Sequence, residues 1–161
     1  GTTGNCTAPR FVPPMAQFAR PIRTPKGQPM SQSPDLEKRS AFQTHIGFEV
    51  TGWEVDVARV EAPIAAFMGN RQGIPHGGVH ATLLDSAMGF AGCYTGDPDR
   101  QQNALTLSLT VNYVGQAQGS RLIAEGRRIG GGRKTYFAEG RLTDDLGNLV
   151  ATASGTFRYR S

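Results

Sequence analysis

The strongest constraint on the fold of this chain is segment 70–85, NRQGIPHGGVHATLLD, in which a turn-rich loop leads through two glycines into an apolar helix. The first amides of a helix have no partner within it and lie at the positive end of its dipole, so they can hold an anionic oxygen. Asp85 is the carboxylate on the same helix. Amide donors plus a carboxylate, with no metal motif and no Ser–His pair nearby, indicate hydrolysis of an activated acyl group.

The helix is predicted from residue 77 to about residue 92, because apolar residues recur three or four positions apart around most of its circumference. They are Val79, Leu83, Leu84, Ala87, Met88, Phe90 and Ala91. A helix of this kind is buried. The charge of Asp85 is costly among these neighbours unless the carboxylate is hydrogen-bonded or takes part in chemistry. The alternative interpretation is an ordinary Asp on a narrow solvent-facing side.

Spacing adds a second constraint. Gly77 and Gly78 precede Asp85 by eight and seven residues, which corresponds to roughly 10 to 12 Å along a helix axis. A reacting carbonyl lies about 3 Å from its donors and about 3 to 3.5 Å from its nucleophile. We therefore expect the donor of one protomer to face the Asp of another across a dimer interface.

These residues resemble the hotdog-fold acyl-CoA thioesterases of the PaaI-like and THEM2-like group, over about residues 33–160. The family pattern is Asn, Gly, His-Gly-Gly and then Asp nine positions after the His, and here it is formed by Asn70, Gly73, His76, Gly77, Gly78 and Asp85. The resemblance implies that the Gly77 amide binds the thioester oxygen and that Asp85 is nucleophile or general base. It also implies that Asn70 and His76 fix the loop and the thioester, and that Thr106 is the Ser or Thr of the next strand.

The rest of the sequence independently predicts one antiparallel sheet. Alternating or β-branched stretches predict strands at 47–52, 54–61, 105–113, 121–129, 134–143 and 149–159. Residues 144–148, DDLGN, suit a hairpin turn. The order strand, strand, helix and four strands predicts an α+β fold, with one long central helix against a curved antiparallel sheet.

The chain is long enough for one core domain, predicted at 33–161, preceded by a Pro-rich basic tail at 1–32. Ser33 is predicted to cap a short helix that starts at Pro34 and ends before Gly47. Phe11 and Phe18 of the tail are candidates for contact with a neighbouring subunit. Of ten prolines, seven lie in residues 1–40, and proline removes backbone donors, which favours extended or disordered chain in the tail.

Charge and cysteine content narrow the possible partners. Residues 1–40 hold six basic and two acidic side chains and so carry the whole formal charge of +4. The remainder is neutral, which gives no reason to expect nucleic-acid binding. The sequence contains no signal-peptide pattern and no apolar run long enough for a membrane span. Cys6 and Cys93 offer neither a disulfide framework nor metal spacing, and we expect a cytoplasmic protein.

Two further features have competing interpretations. His76 and His80 are four residues apart like zinc ligands, but no Glu follows His76, so no metal is expected and His80 is predicted to be packed or at an interface. Residues 130–132, Gly-Gly-Gly, suit a hairpin bend better than a phosphate loop, since no Walker pattern or helix follows. Basic residues near this bend are nevertheless candidates to bind coenzyme A phosphates: Arg127, Arg128, Arg133 and Lys134. Strand alternation predicts that Arg127 and Arg128 point to opposite faces.

The sequence thus predicts hydrolysis of an aryl-acetyl or medium-chain acyl-CoA to free acid and CoA. Gly77 and Asp85 would act from different subunits of a homodimer that pairs into a homotetramer. Arg133, Lys134, Arg128 and Gly78 are the candidate coenzyme contacts; no separate cofactor is expected because CoA is part of the substrate. One alternative is a non-catalytic acyl-CoA-binding or sensing domain. Another is a hotdog dehydratase or hydratase, although such sites pair His with a carboxylate at a different spacing.

Overall fold

This computed structural model describes residues 39–97 and 99–160, so the predictions for the tail, including Phe11, Phe18 and Cys6, lie outside the described residues. One six-stranded antiparallel sheet carries a long helix on one face, which confirms the predicted α+β fold. The strand order is β1-β2-β4-β5-β6-β3. The elements are α1 (Ala41–Ile46), β1 (Glu49–Glu54), β2 (Val57–Pro63), a 3-10 turn (Ala66–Met68), α2 (Gly77–Ala91), β3 (Ala104–Tyr113), β4 (Arg121–Gly131), β5 (Thr135–Asp144) and β6 (Leu149–Tyr159).

The central helix α2 lies where the sequence places it. His76 caps its start and Gly92 its end. Four apolar side chains that recur at helical spacing have no exposed surface and form the centre of the core: Leu83, Leu84, Ala87 and Met88. Since a fully buried aliphatic side chain contributes roughly 1.5 to 3 kcal/mol by leaving water, this apolar stripe anchors α2 to the sheet. Within the described chain no helix is both long and apolar enough to cross a bilayer.

Glycines in the sheet set how deeply α2 lies. A Cβ at Gly126 of β4 would come within 2.4 Å of the Ala87 backbone, and one at Gly140 of β5 would meet Leu84 and Met88 at 3.1 to 3.2 Å. The two glycines face each other across the β4–β5 ladder. The helix backbone therefore rests directly on the sheet at this point, a spacing that any side chain at Gly126 would increase.

The predicted boundaries of the first two strands are wrong. The sequence predicted strands at 47–52 and 54–61, but β1 runs to Glu54 and β2 begins at Val57. The turn falls at Asp56, whose φ of 63° is left-handed, a conformation that Asp tolerates better than most residues. Gly52 is buried inside β1, next to a register shift rather than at a turn. The other four strands are confirmed within two residues, and β6 matches in full.

The N-terminal helix also begins later than predicted. The helix that ends before Gly47 starts at Ala41, and its cap is Ser40, whose Oγ accepts the Gln43 amide at 3.1 Å. Ser40 and Gln43 have the spacing of a capping box, a signal that the prediction from Ser33 overlooked. Residues 33–38 lie outside the described residues. The predicted end is confirmed, because Gly47 caps α1 in a left-handed conformation.

Strand β3 forms one edge of the sheet and pairs on one side with β6. It exposes apolar side chains, with Leu105 at 52%, Leu107 at 59% and Tyr113 at 55%. A ten-residue edge strand with exposed apolar side chains offers unpaired backbone groups and apolar area to another chain. This edge strand is adjacent to α2, the helix that carries Asp85.

The β5–β6 turn is held by the buried carboxylate of Asp144. Its Oδ2 accepts the amides of Gln118 and Gly119 at 2.8 and 3.1 Å and the side-chain amide of Asn148 at 2.9 Å, while its Oδ1 accepts the backbone amide of Asn148 at 2.8 Å. Burial alone raises the pKa of Asp144, but the bonds from Asn148, Gln118 and Gly119 outweigh it and lower the pKa to about 2. The predicted hairpin at 144–148 is therefore confirmed, and it also fixes the loop that follows β3.

We predict that Asp144→Asn destabilises the fold by about 1 to 2 kcal/mol at neutral pH, since solvent near this surface turn screens part of the interaction. The folded pKa lies below the unfolded value of about 3.9. The stabilisation is therefore complete above about pH 4 and is lost as the pH falls towards 2. Urea unfolding across this range measures it, with Asp99→Asn on an exposed loop as the control. A wild-type advantage that persists unchanged at pH 2 would contradict this account.

Candidate active site

The loop before α2 is organised around Asn70. The Asn70 side chain accepts the Gln72 amide at 2.8 Å, and its backbone bonds to Gly73 and Ile74 close the turn. The amide of His76 donates to Met68 O at 2.8 Å, which brings the end of the loop back to the 3-10 turn. These contacts agree with a loop-fixing role for Asn70. They hold the loop in one shape immediately before the first amide of α2.

His76 caps the helix through its side chain. Its Nδ1 accepts the Gly78 amide at 2.8 Å. The Gly78 amide is therefore occupied by this bond rather than open to a ligand. In the neutral ring the proton lies on Nε2, which leaves Nε2–H available as a donor. His76 and Gly78, predicted for different tasks, are brought together in one cap.

Gly77 occupies the first helical position, where the amide has no carbonyl partner within the helix. Its carbonyl accepts the Tyr113 hydroxyl at 3.0 Å, which ties the start of α2 to the edge strand β3. A Cβ at this position would lie 3.1 Å from the Tyr113 ring. The glycine thus lets the helix start approach Tyr113 closely while its amide remains a donor at the positive end of the helix.

Asp85 is half-buried in the middle of α2, and Thr106 of β3 donates its hydroxyl to Asp85 Oδ1 at 2.8 Å. Burial raises the pKa of Asp85, and the Thr106 bond opposes this by favouring the carboxylate. The interpretation of an ordinary solvent-facing Asp does not fit this environment. A partly desolvated carboxylate that is oriented by one hydroxyl has the properties of a base or nucleophile.

A pocket of about 230 Å³ opens beside this carboxylate; we call it the acyl pocket. Trp53, Phe90 and Phe157 provide apolar walls, while Ser86, Gln102 and Asn103 supply polar atoms. Asp85 and Thr106 lie on its surface. The pocket therefore combines aromatic walls with several polar groups, among which Asp85 and Thr106 form a hydrogen-bonded pair, as expected of a site that orients a small ligand.

The four basic residues near the β4–β5 bend do not form one cluster. Arg127 pairs with Glu139 across the sheet, and Arg128 bonds Asp56 of the β1–β2 turn at 3.1 Å. Their different partners agree with the predicted opposite faces. Arg133 and Lys134 line an open cleft at the hairpin tip, and neither forms an ion pair with a carboxylate of the described residues. The β4–β5 hairpin is confirmed, but its bend lies at 132–134 rather than at 130–132, because Gly130 and Gly131 still pair with Phe137 and Tyr136 in the ladder.

His80 is packed, with 6% of its surface exposed, and neither ring nitrogen has a hydrogen-bond partner within the described residues. Burial lowers its pKa, with a smaller contribution from His76. Its ring lies 6.0 Å from that of Tyr113. The described part of the chain contains no cluster of three metal-ligating side chains.

The structure therefore brings together Asp85 and Thr106, and also His76, Gly77 and Gly78, but within one chain these two groups are separated along α2. Arg133 and Lys134 belong to a third place, the hairpin tip. Local sequence patterns do not mark Trp53 and Phe157 as pocket walls, because strand pairing brings them to the helix from distant parts of the chain. The alternation of residues along a strand does not distinguish an aromatic side chain that lines a pocket from one that only packs in the core.

Comparison with known proteins places this arrangement in a family. Residues 72–151 match the model of the thioesterase superfamily. A conserved protein of Pseudomonas aeruginosa is 29% identical with a TM-score of 0.69, covering 76% of this chain and 95% of its own. A Bacillus halodurans protein solved with CoA is 32% identical with a TM-score of 0.56, covering 63% of this chain and 66% of its own. No curated protein gave a significant match.

The fold is also that of a mutant of the phenylacetic acid degradation protein PaaI from Thermus thermophilus, which is 24% identical with a TM-score of 0.63 and covers 74% of this chain and 98% of its own. The chain belongs to the thioesterase superfamily and has its hotdog fold, with α2 as the central helix. It is a thioester hydrolase. The predicted membership in the hotdog-fold thioesterases is confirmed.

We predict that Thr106→Val raises the pKa of Asp85 further, because the lost hydrogen bond favours the charged carboxylate. Titration of the Asp85 carboxyl by carbon-13 NMR measures this directly. The wild-type pKa should already lie above the usual value, and the variant's should lie higher. Thr110→Val, at an exposed position on the same strand, is the matched control and should leave Asp85 unchanged. An unaltered or lower pKa in Thr106→Val would mean that this bond does not govern the carboxyl.

Proposed function

We propose that this thioester hydrolase acts on acyl-CoA, releasing free acid and coenzyme A, with an aryl-acetyl or medium-chain acyl group. The supporting observation is the half-buried Asp85, oriented by Thr106 on the surface of a pocket with aromatic walls. Its raised pKa makes it a stronger base than an exposed Asp. The CoA moiety belongs to the substrate, and no separate cofactor is proposed. A cytoplasmic location remains a prediction.

The proposed chemistry begins at the Gly77 amide, which donates to the thioester carbonyl oxygen and stabilises the negative charge that develops there. In one route Asp85 removes a proton from water, the hydroxide adds to the carbonyl carbon, and the carbon–sulfur bond breaks to release the CoA thiolate. In the other, the Asp85 carboxylate itself displaces the thiolate to give a mixed anhydride, which water then hydrolyses. Label in Asp85 after a single turnover in heavy-oxygen water identifies the second route, because water that attacks the Asp85 carbonyl of the anhydride leaves its oxygen there, whereas the first route places that oxygen only in the product acid.

We propose that each site uses Gly77 of one subunit and Asp85 of its partner. Eight residues of helix separate the two positions in one chain, or about 12 Å, whereas both must lie close to one carbonyl. Asp85 is bonded to the edge strand β3, whose exposed Leu105 and Leu107 offer apolar area to a second copy. The homodimer, and its pairing into a tetramer, are part of the proposal.

We propose that Arg133 and Lys134 bind phosphates of the coenzyme. Both side chains are exposed at the hairpin tip and line its open cleft. Arg binds phosphate in a bidentate geometry and Lys as a point charge. The Bacillus halodurans relative was solved with CoA. Arg128, by contrast, is bonded to Asp56 and would have to exchange that partner to join them.

We predict that Asp85→Asn lowers kcat by several powers of ten and leaves KM nearly unchanged, because it removes an interaction made in the transition state. Release of free thiol from phenylacetyl-CoA and medium-chain acyl-CoAs is the assay. Glu49→Gln, which changes an exposed carboxylate on β1, should behave as wild type. Near-normal turnover of Asp85→Asn would exclude Asp85 from the mechanism.

Mixing two inactive variants tests the shared site. Gly77→Pro deletes the donor amide at a position where proline suits a helix start, and His76 already has the extended backbone, φ −65° and ψ 140°, that a residue before proline needs. Gly77→Ala adds a similar Cβ but keeps the amide, and is the matched control. Heterodimers of Gly77→Pro with Asp85→Asn contain one intact site and should regain about half of the wild-type activity per dimer. No recovery on refolding the two together would disprove the shared site.

We predict that the double variant Arg133→Gln, Lys134→Gln raises KM for acyl-CoA with little change in kcat, because phosphate contacts bind substrate and transition state equally. A pantetheine thioester, which lacks the nucleotide phosphates, should show no such difference between variant and wild type. Arg127→Gln, which removes one positive charge at an exposed Arg paired with Glu139, is the control for the loss of surface charge. An unchanged KM for acyl-CoA would leave the hairpin as a purely structural bend.

A further inference from the structure

Beyond the acyl pocket lies a second, smaller cavity of about 60 Å³, which we call the distal cavity. It extends under the loop after α2 and is lined by Tyr94, Gly96, Arg100 and their neighbours. The two cavities share four lining residues: Trp53, Cys93, Gln102 and Asn103. They are therefore adjacent compartments with a common wall.

The indole of Trp53 is the largest part of that wall, and it is fixed on several sides. Its Nε1 donates to Phe90 O in the last turn of α2 at 2.7 Å. The ring meets Phe90 and Tyr94 edge to face, with centroid distances of 5.3 and 5.7 Å, a favourable aromatic geometry. A side chain held in this way does not move aside easily when a ligand presses against it.

The other shared residues are smaller or have other contacts. Cys93 is buried, with 7% of its surface exposed, and lies 4.0 Å from the Tyr136 hydroxyl. The side-chain amide of Gln102 donates to the backbone carbonyls of Asn103 and Arg160, which ties its loop to the end of β6. Trp53 thus has the largest side chain of the four residues that line both compartments.

We propose that Trp53 determines acyl-chain specificity by closing the far end of the acyl pocket. This inference rests on the proposed function, since it assumes that the acyl group enters beside Asp85. An apolar cavity of about 150 Å³ holds one benzene ring, so the acyl pocket of about 230 Å³ has room for a single ring or a short chain. A longer chain meets the indole. Without the indole, the chain would continue into the distal cavity.

Trp53→Ala tests this with phenylacetyl-CoA and a series of straight-chain acyl-CoAs from butanoyl to dodecanoyl. We expect kcat/KM to rise about tenfold or more for the longest chains, as for a pocket that gains room for further methylenes. For phenylacetyl-CoA it should fall, since the ring loses its end wall. Trp53→Phe, which keeps an aromatic ring but loses the Phe90 bond, should shift the preferred length less.

Arg100→Ala is the matched control, because Arg100 lines the distal cavity without lining the acyl pocket. The substitution enlarges the distal cavity and leaves the common wall in place. The variant should therefore prefer the same acyl-chain lengths as the wild type. Thermal unfolding establishes that each variant is folded, and Trp53→Leu replaces Trp53→Ala if the latter does not fold. An unchanged length preference, or an equal loss for all chain lengths, would overturn the proposal.

The outcome can be separated from that of the proposed function. If the wild type hydrolyses none of these substrates, acyl-CoA hydrolysis is refuted, and calorimetric binding of the corresponding free carboxylic acids then decides the role of Trp53. Tighter binding of the longer acids by Trp53→Ala would still support a closing wall. The same length profile in both proteins would reject it.

Discussion

The close contact between α2 and the glycines of the sheet is the constraint on which the rest of the structure depends. At Gly126 the helix backbone rests where a Cβ would come within 2.4 Å. This contact fixes the height of α2, and with it the depth of Asp85 and the position of Gly77 at the helix start. Because protein interiors are close-packed, a methyl group added at Gly126 would push the helix away from the sheet and would displace Asp85 and Gly77 together.

The residues proposed to carry the chemistry lie beside one edge of the sheet. Asp85 is held by Thr106 and Gly77 by Tyr113, and both partners belong to the edge strand β3. Both proposed reacting groups are therefore hydrogen-bonded to the same edge strand. In the proposed dimer, the strand that orients the carboxylate also makes the contact that supplies the opposing amide, so assembly and catalysis share one element.

Strong periodicity predicted the central helix and the later strands, and the family resemblance indicated Asp85 and Thr106 as site residues, whereas the hydrogen bond between these two is a finding of the structure. Prediction from the sequence failed where signals were ambiguous. Gly52 was interpreted as a strand end but is buried in β1, and the real turn depends on a left-handed Asp56 inside an alternating valine pattern. The cap Ser40 of α1 was not recognised. The wall residue Trp53 depends on strand pairing, which no local pattern reports.

The glycines also indicate which positions could be substituted to make the protein more heat-resistant. Replacing glycine by alanine usually stabilises a protein by restricting its unfolded chain, provided that the native site accepts the methyl group. Gly126 and Gly92 do not accept it, since the added carbon would lie 2.4 Å from the helix backbone and 2.2 Å from the Tyr136 ring. Gly130 and Gly132 face open space and have no left-handed φ. The hairpin tip, rather than the helix or the sheet beneath it, is where engineering for thermal tolerance should begin.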